Sequence, residues 1–447
     1  MNRMKRRSGK KNRGTYRYRG KPRDKSLPAA DGMSAARPLE APPDGQLPAA
    51  YVSTHLRHPL IYRKRLLRVD HSAQPGNLVA VYVEPDELLG YGLYNPKSEI
   101  AVRMISYESE LPGNEHWQGL LSRAVQLRRD MLRLDDVTDT YRVVHAEADG
   151  LPGLVIDKFG EVISAEVFSL GMFQRATAIL KLLAPMCGAK HHLVQPGPHT
   201  LAQEGFDARS VLSDDCPKSV VVQEFGTKFR VRFGGGHKTG FFCDQRDNRL
   251  MLTKFCQDKS VLDLCCYTGG FAVQAMRLGK AREATGVDLD AAPLELAKEN
   301  ARLNQVSANF VQADAFPYMR DMLRNGRTFD VVVLDPPKLI RTRKEIDEGT
   351  RKHFDLNRLA MQLVAPGGLL VSCSCAGLLS WEEFQRLLNA AARQAGPPSA
   401  TPWPDGRPKH DPRGMQIIAK CGPGGDHPID SVVTETEYLK AVWMRMA

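Results

Sequence analysis

The chain has 447 residues, 42% hydrophobic and 25% charged, which is ordinary globular composition and, at about 150 residues per domain, a prior of three domains. This excludes a collagen, a wholly disordered chain and a small disulfide scaffold, and no run of 18 apolar residues is present to span a membrane. The net charge of +11 resides in residues 1 to 25, where 12 Lys or Arg face one acid, Asp24, and the rest of the chain is balanced.

Residues 1 to 50 are basic, then rich in Pro and Ala, and carry few large aliphatics. Such a segment gains too little from burial to offset its ordering entropy, so a disordered basic tail is expected. Phosphate neutralisation makes it a candidate nucleic-acid contact; a solubilising extension and a transit peptide are the alternatives. The nine cysteines show no framework spacing and no apolar segment follows the N-terminus. Reduced thiols and a cytoplasmic location are therefore expected.

From 51 to 108 short apolar runs alternate with turn residues: 78–83, 88–94 and 100–105, separated by Pro85-Asp86 and Asn95-Pro96. Three such strands predict a small β-barrel or sandwich. A central α+β region, 109–230, begins with a helix over about 116–133. It continues through 148–160 as strand, tight turn and strand, with Asp149-Gly150 and Pro152-Gly153 supplying the reversal. From 231 to 447 the pattern becomes strand–helix alternation. Strands are predicted at 260–264, 284–287, 310–311, 331–334 and 369–372, helices at 270–278 and 291–303, and two further strands at 416–418 and 438–446. Apolar strands alternating with helices mean a parallel, doubly wound α/β sheet.

In such sheets the ligand lies beyond the carboxyl ends of the strands. Those ends carry Asp263 with Tyr267-Thr268-Gly269-Gly270, then Asp288, Asp314 and Asp335. The glycines allow close backbone approach, Asp288 stands where a ribose-binding acid belongs, and Asp314 is placed to accept from an adenine amino group. The turn lacks the Gly-x-Gly-x-x-Gly of dinucleotide binders, which disfavours NAD against S-adenosylmethionine, a ligand without a pyrophosphate. Asp335-Pro336-Pro337-Lys338 closes the fourth strand in a rigid loop, because two prolines neither donate to a ladder nor enter a helix at once.

After the fifth strand comes Ser372-Cys373-Ser374-Cys375. No second Cys or His pair has zinc spacing, so no metal is expected; each cysteine is either a small buried hydrophobe or a nucleophilic thiolate facing Asp335. A thiolate and a carboxyl group suit methylation at carbon 5 of cytosine. Addition of sulfur at carbon 6 makes carbon 5 nucleophilic, and a carboxyl at ring nitrogen 3 stabilises the developing charge.

These motifs resemble the ribosomal RNA large-subunit methyltransferase I family. The resemblance runs from about residue 52 to the C-terminus. It is carried by 92–96 (Gly-Leu-Tyr-Asn-Pro), 149–153 (Asp-Gly-Leu-Pro-Gly) and 236–249, together with Tyr267-Thr268-Gly269-Gly270-Phe271, Asp335-Pro336-Pro337-Lys338, Ser374-Cys375 and Asp426-His427-Pro428. It implies an adenosylmethionine-dependent 23S rRNA cytosine-5 methyltransferase: a class I Rossmann-like catalytic domain, a central domain and an N-terminal RNA-binding PUA-like domain. It places the nucleophile on Cys375 and the nitrogen-3 acid on Asp335, and Gln245 and Arg246 match a segment of the cofactor or substrate wall. Together with the strand-end reading, the cofactor is expected on Asp263, Tyr267 to Gly270, Asp288, Asp314 and Pro336, and RNA on Lys338, Lys238, Arg57 and His58. Expected partners are 23S rRNA and, as an open alternative, a second copy in a homodimer. Rival readings are a guanine methyltransferase on the same scaffold and a non-catalytic RNA-binding assembly factor.

Overall fold

The computed structural model describes residues 32–41, 46–233, 240–399 and 409–447. The N-terminal unit is a six-stranded sheet of β1 (Ala49–Val52), β2 (Leu60–Tyr62), β3 (Leu66–Val69), β4 (Leu78–Val83), β5 (Glu87–Tyr94) and β6 (Ile100–Ser106), in the order β2-β6-β5-β4-β1-β3. Period-two alternation in β4 divides its residues between two cores. Val79, Val81 and Val83 fill the small domain, while Leu78 and Ala80 pack against the next one. Gly90, with φ +144°, lets β5 bend over β6; a Cβ there would lie 2.2 Å from the Ser106 carbonyl oxygen.

The central unit contains α1 (Asn114–Gln126), β7 (Thr140–His145), β8 (Leu154–Phe159), β9 (Val162–Val167), α2 (Leu170–Cys187), β10 (His191–Pro196), α3 (Thr200–Glu204) and β11 (Val211–Leu212). Its sheet runs β11-β10-β9-β8-β7, and the apolar faces of α1 and α2 close one side of it. The helix expected to 133 changes after Gln126 into a wider π turn, Leu127–Met131. That turn carries Arg128 into the interior. The strand expected immediately before Gly150 is a short 3-10 turn, Ala146–Asp149, and β7 ends upstream of it.

Two expected boundaries shift. The disordered tail assigned to residues 1–50 is ordered over 32–41, which lie across the first two domains. Arg37 donates its backbone N–H to the Gln174 carbonyl (2.9 Å) and its guanidinium to the Pro75 carbonyl (3.1 Å). Leu39 is buried in the central core, with its carbonyl accepting from Trp117 Nε1 (3.1 Å). One leucine gives no periodicity, and the remaining contacts, backbone groups and the Arg37 guanidinium, find their partners in distant residues, so composition alone misreads the segment. Residues 1–31 and 42–45, including the basic arm, lie outside the described residues.

The second shift concerns the hairpin of β12 (Ser219–Glu224) and β13 (Thr227–Arg232), which a boundary at 230 would cut. Phe229 and Val231 pack with Val273 and Ala301 of the catalytic unit, and Arg249 forms a buried pair with Glu224 (2.6 Å). The hairpin therefore belongs with the catalytic domain.

That domain continues with α4 (Arg246–Thr253), β14 (Ser260–Leu264), α5 (Gly270–Arg277), β15 (Glu283–Asp288), α6 (Ala291–Leu303), β16 (Asn309–Gln312), α7 (Ala315–Arg324) and β17 (Phe329–Leu334). It ends with α8 (Ile346–Leu363), β18 (Val364–Ser374), α9 (Trp381–Ala392), β19 (Met415–Cys421) and β20 (Lys440–Met446). The order is β16-β15-β14-β17-β18-β20-β19, parallel from β16 to β18 and antiparallel at β20 and β19. Every residue of β14 is buried, as a strand covered on both faces requires. The chain leaves β14 toward β15 on one side and returns to β17 on the other, so the crevice opens at the carboxyl ends of β14 and β17. No helix among the described residues is long and apolar enough to cross a membrane.

Candidate active site

Beyond β14 the chain turns through Cys265, Cys266 and Tyr267 before α5. Cys265 and Tyr267 hold φ of 61° and 48°. Left-handed backbone at bulky residues costs on the order of 1–3 kcal/mol each and is retained where the surroundings impose it. Here they do. Tyr267 N donates to Asp288 Oδ2 (2.8 Å), and the buried Asn300 amide donates to the Thr268 carbonyl (2.9 Å). Gly269 has φ +77°, and a Cβ there would lie 3.0 Å from both Ala297 Cβ and the Phe310 ring. Gly270 starts α5 against the Arg249 side chain.

The strand-end acids converge on this loop. Burial pushes the Cys265 thiol far above its ordinary value, and the charges of Asp288, Asp335, Asp263 and Asp314 push it further. Asp288 accepts from the N–H groups of Tyr267 and Asp290, and Asp314 caps α7 by accepting from Phe316 N (2.8 Å). Asp263 is fully buried: Oδ2 accepts from Ala272 N (3.0 Å), whereas Oδ1 has no hydrogen-bond partner. Burial, reinforced by Asp335 and Asp288, raises its carboxyl to about 7. A negatively charged crevice with an unmatched carboxylate oxygen fits a cationic ligand, and adenosylmethionine is one.

A pH dependence follows. The raised carboxyl favours the folded state fully below 3.8, and that contribution is lost as pH rises to about 7. Ligand-free Asp263→Asn is therefore expected to melt above the wild type at pH 8, the gap closing toward pH 4. Cofactor affinity by calorimetry is expected to fall in the variant and, in the wild type, to rise with pH through about 7. A pH-independent affinity together with identical melting curves would refute both.

β17 and β18 are parallel neighbours, with Leu334 opposite Ser372. Asp335 thus stands level with Cys373, and Cys375 projects two residues, about 6–7 Å, beyond it. The Asp335 carboxylate is held by Gln245, whose Nε2 donates to Oδ2 (2.9 Å). Gln245 is fixed in turn by Asn248, whose Nδ2 donates to its Oε1 (2.8 Å) and to the Gly422 carbonyl (3.2 Å). The two cysteines separate. Cys373 is sealed in the core, its thiol pushed well up by burial and then by Asp335, whereas Cys375 is half-buried at the strand end. Behind it, Ser374 Oγ lies 3.4 Å from Nε2 of the buried His353 on α8.

Pro336 is buried beside Asp335, and Lys338 is exposed on the same loop. Arg246, expected in the cofactor wall, is turned into the domain seam instead. Its guanidinium grips both oxygens of the buried Asp426 (2.9 and 2.8 Å). Asp426 also accepts from Arg142 N, and its carbonyl accepts from Arg128, itself bidentate on Asp149. The motif at 426–428 is thus a pin between central and catalytic domains. Arg57 and His58 lie on the β1–β2 loop, where the Arg57 carbonyl accepts from Tyr107 and His58 Nδ1 accepts from Leu60 N. Tyr107, pushed up to about 12 by burial and by Asp430, faces the catalytic domain from this edge. Lys238 lies outside the described residues.

Sequence reasoning missed Asn248, His353 and Lys440. Asn248 carries a readable signal, since it stands one helical turn after Gln245. The other two meet Ser374 only through sheet pairing and helix packing.

A family model described as S-adenosylmethionine-dependent methyltransferase matches residues 150–399, and one described as PUA-like domain matches 54–107. The ribosomal RNA large subunit methyltransferase I of Vibrio cholerae is 34% identical over 397 residues, covering 87% of this chain and 95% of the relative. Its counterpart in Pseudoalteromonas atlantica is 33% identical over 391 residues, covering 86% and 94%. Among solved structures, a protein from Streptococcus mutans described as a candidate SAM-dependent methyltransferase superposes with a TM-score of 0.71 at 18% identity. That superposition covers 89% of this chain and 99% of the other. With its two matched domains and a crevice of converging acids at the strand ends, the chain belongs to the S-adenosylmethionine-dependent methyltransferases, in the ribosomal RNA large subunit methyltransferase I family.

Proposed function

We propose that the protein methylates carbon 5 of a cytosine in 23S rRNA, with Cys375 as nucleophile and Asp335 as the group at ring nitrogen 3. One observation carries the reading: Asp335, oriented by Gln245, and Cys375 end adjacent strands at the crevice, while Cys373 is shut in the core. The names of the relatives supply the substrate class.

Adenosylmethionine, held by the loop 265–270 with Asp263, Asp288 and Asp314, supplies an electrophilic methyl group. The chain's residues prepare the base to accept it. The Cys375 sulfur adds to carbon 6, and the electron pair of the 5,6 double bond moves toward carbon 5 and the nitrogen-3 side of the ring. A proton shared between the Asp335 carboxyl and ring nitrogen 3 neutralises that charge, the carboxyl being held by Gln245. Carbon 5 takes up the methyl group and then gives its proton to a general base; the electrons of that C–H bond re-form the double bond, and the sulfur leaves as thiolate with the electrons of its bond to carbon 6. The base must leave its stack to reach both groups; the exposed Lys338 on the loop after Asp335, and Arg57 and His58 on the β1–β2 loop, are the residues this reading assigns to RNA contact.

Bisulfite sequencing of rRNA with and without the protein tests the reading. One protected cytosine is expected to become convertible when the protein is absent. Unchanged cytosines with a lost guanine methylation would place the chemistry on purine instead, where no thiol is needed.

A further inference from the structure

Lys440 opens β20 directly opposite Ser374, the last residue of β18. It is 2% exposed, and among the described residues no carboxylate lies within ion-pair reach of its ammonium. Nζ instead donates to the Tyr438 carbonyl (3.1 Å). Burying a cation beside a lone carbonyl is costly, so its position calls for a counter-charge elsewhere. The topology indicates where. β20 runs antiparallel to β18, so its first residues border the carboxyl end of β18. With its ammonium on the Tyr438 carbonyl, the side chain stays at this end of the sheet, within electrostatic reach of Cys375 and Lys338.

The surrounding groups narrow the choice. From β18 come Ser374 and Cys375, from α8 His353, from the loop after β17 Asp335 and Lys338, and from its own end Glu437 and Tyr438. Burial and Lys440 hold His353 down to about 4, so its ring is neutral at working pH. Burial and Asp244 push the Tyr438 phenol well up, so it is neutral too, donating to Asp244 Oδ2 (2.7 Å). Burial, helped by Lys338, holds the Lys440 ammonium below its ordinary value against the opposing pull of Glu437 and Cys375.

We propose that Lys440 is a positioning residue for the nucleophile, its buried ammonium holding the Cys375 sulfur as a thiolate. The proposal rests on the covalent reading above. On ionisation the thiol proton passes to solvent, Lys440 keeps its own protons, and the buried cation gains its counter-ion. This explains how one cysteine becomes reactive in a site otherwise lined by acids, which would keep a thiol protonated.

Alkylation of the full-length protein by iodoacetamide across pH 5 to 10, read on the Cys375 peptide by mass spectrometry, tests it. The wild-type midpoint is expected below that of a free thiol, about 8.5. Lys440→Met is expected to raise it by about one unit and slow alkylation at pH 7 about tenfold, with Lys440→Arg restoring the wild-type profile. Methyl transfer by Lys440→Met is expected to recover as pH rises, which a purely structural defect would not do. A wild-type midpoint at or above 8.5, or a Lys440→Met profile that superposes on the wild type, overturns the proposal. The wild-type measurement decides alone if the variant does not fold. Full activity in Cys375→Ala would instead defeat the covalent reading, a result separable from any alkylation profile.

Discussion

Cys375→Ala is expected to lower methyl transfer at least about 10³-fold while leaving adenosylmethionine affinity within about twofold. The two effects divide because the loop and acids proposed to hold the cofactor follow β14, β15 and β16, whereas Cys375 follows β18. Without sulfur at carbon 6, carbon 5 of cytosine stays too electron-poor to take a methyl group, and Asp335 alone cannot change that. Cys373→Ala is the matched control, since its thiol sits among Val371 and Trp443 and is held protonated by burial. That variant is expected to lose some stability but keep its turnover. RNA carrying 5-fluorocytosine at the target should trap a covalent adduct on the wild type and on Cys373→Ala, because carbon 5 then has no proton to release. An adduct that persists in Cys375→Ala would move the nucleophile to another residue.

The largest effect on stability is expected from Asp426→Ala. Asp426 is fully buried and satisfies both arms of Arg246 and the Arg142 N–H. Burial alone would raise its carboxyl, but His427 and Arg246 outweigh that and hold it well below the carboxylate range. Removing the acid leaves the buried guanidinium only the exposed Asp247 (3.3 Å) as counter-charge, a change worth about 3 kcal/mol. The melting temperature should fall by several degrees, and limited proteolysis should open the seam between central and catalytic domains. Arg246→Met in the same chain removes the stranded charge and is expected to recover much of the loss. The depressed carboxyl contributes fully above 3.8 and less as pH falls below it, so the gap between wild type and variant should narrow in acid. Equal losses in the single and double variants would show that the packing of residues 426–428, not the ion pair, sets the cost.

Where the sequence was legible, one physical signal dominated. The strand at 260–264 and the helix at 291–303 appear where unbroken apolar runs and a single apolar stripe put them. The acids at strand ends were readable because a doubly wound sheet fixes which end faces the ligand. Contacts between distant segments were not. Arg246 and Asp426 are 180 residues apart, and nothing in either segment announces the pairing. Alternation in β13 shows that Phe229 and Val231 are buried but not in which domain. Leu39 is one aliphatic residue among prolines and alanines, and its burial depends on a Trp117 indole that reaches out to its carbonyl. Spacing alone leaves the two cysteines of 373–375 equivalent; the family resemblance singles out Cys375, and the length of β18 decides which of them is enclosed.

The pin at Asp426 also assigns mechanical roles. Guanidinium groups from both sides fasten the central domain to the catalytic one, which resists hinging at this seam. On the proposed reading, a cytosine already looped out in its folded RNA would then enter with little added distortion, whereas the same nucleotide in a continuous duplex would first have to be unpaired.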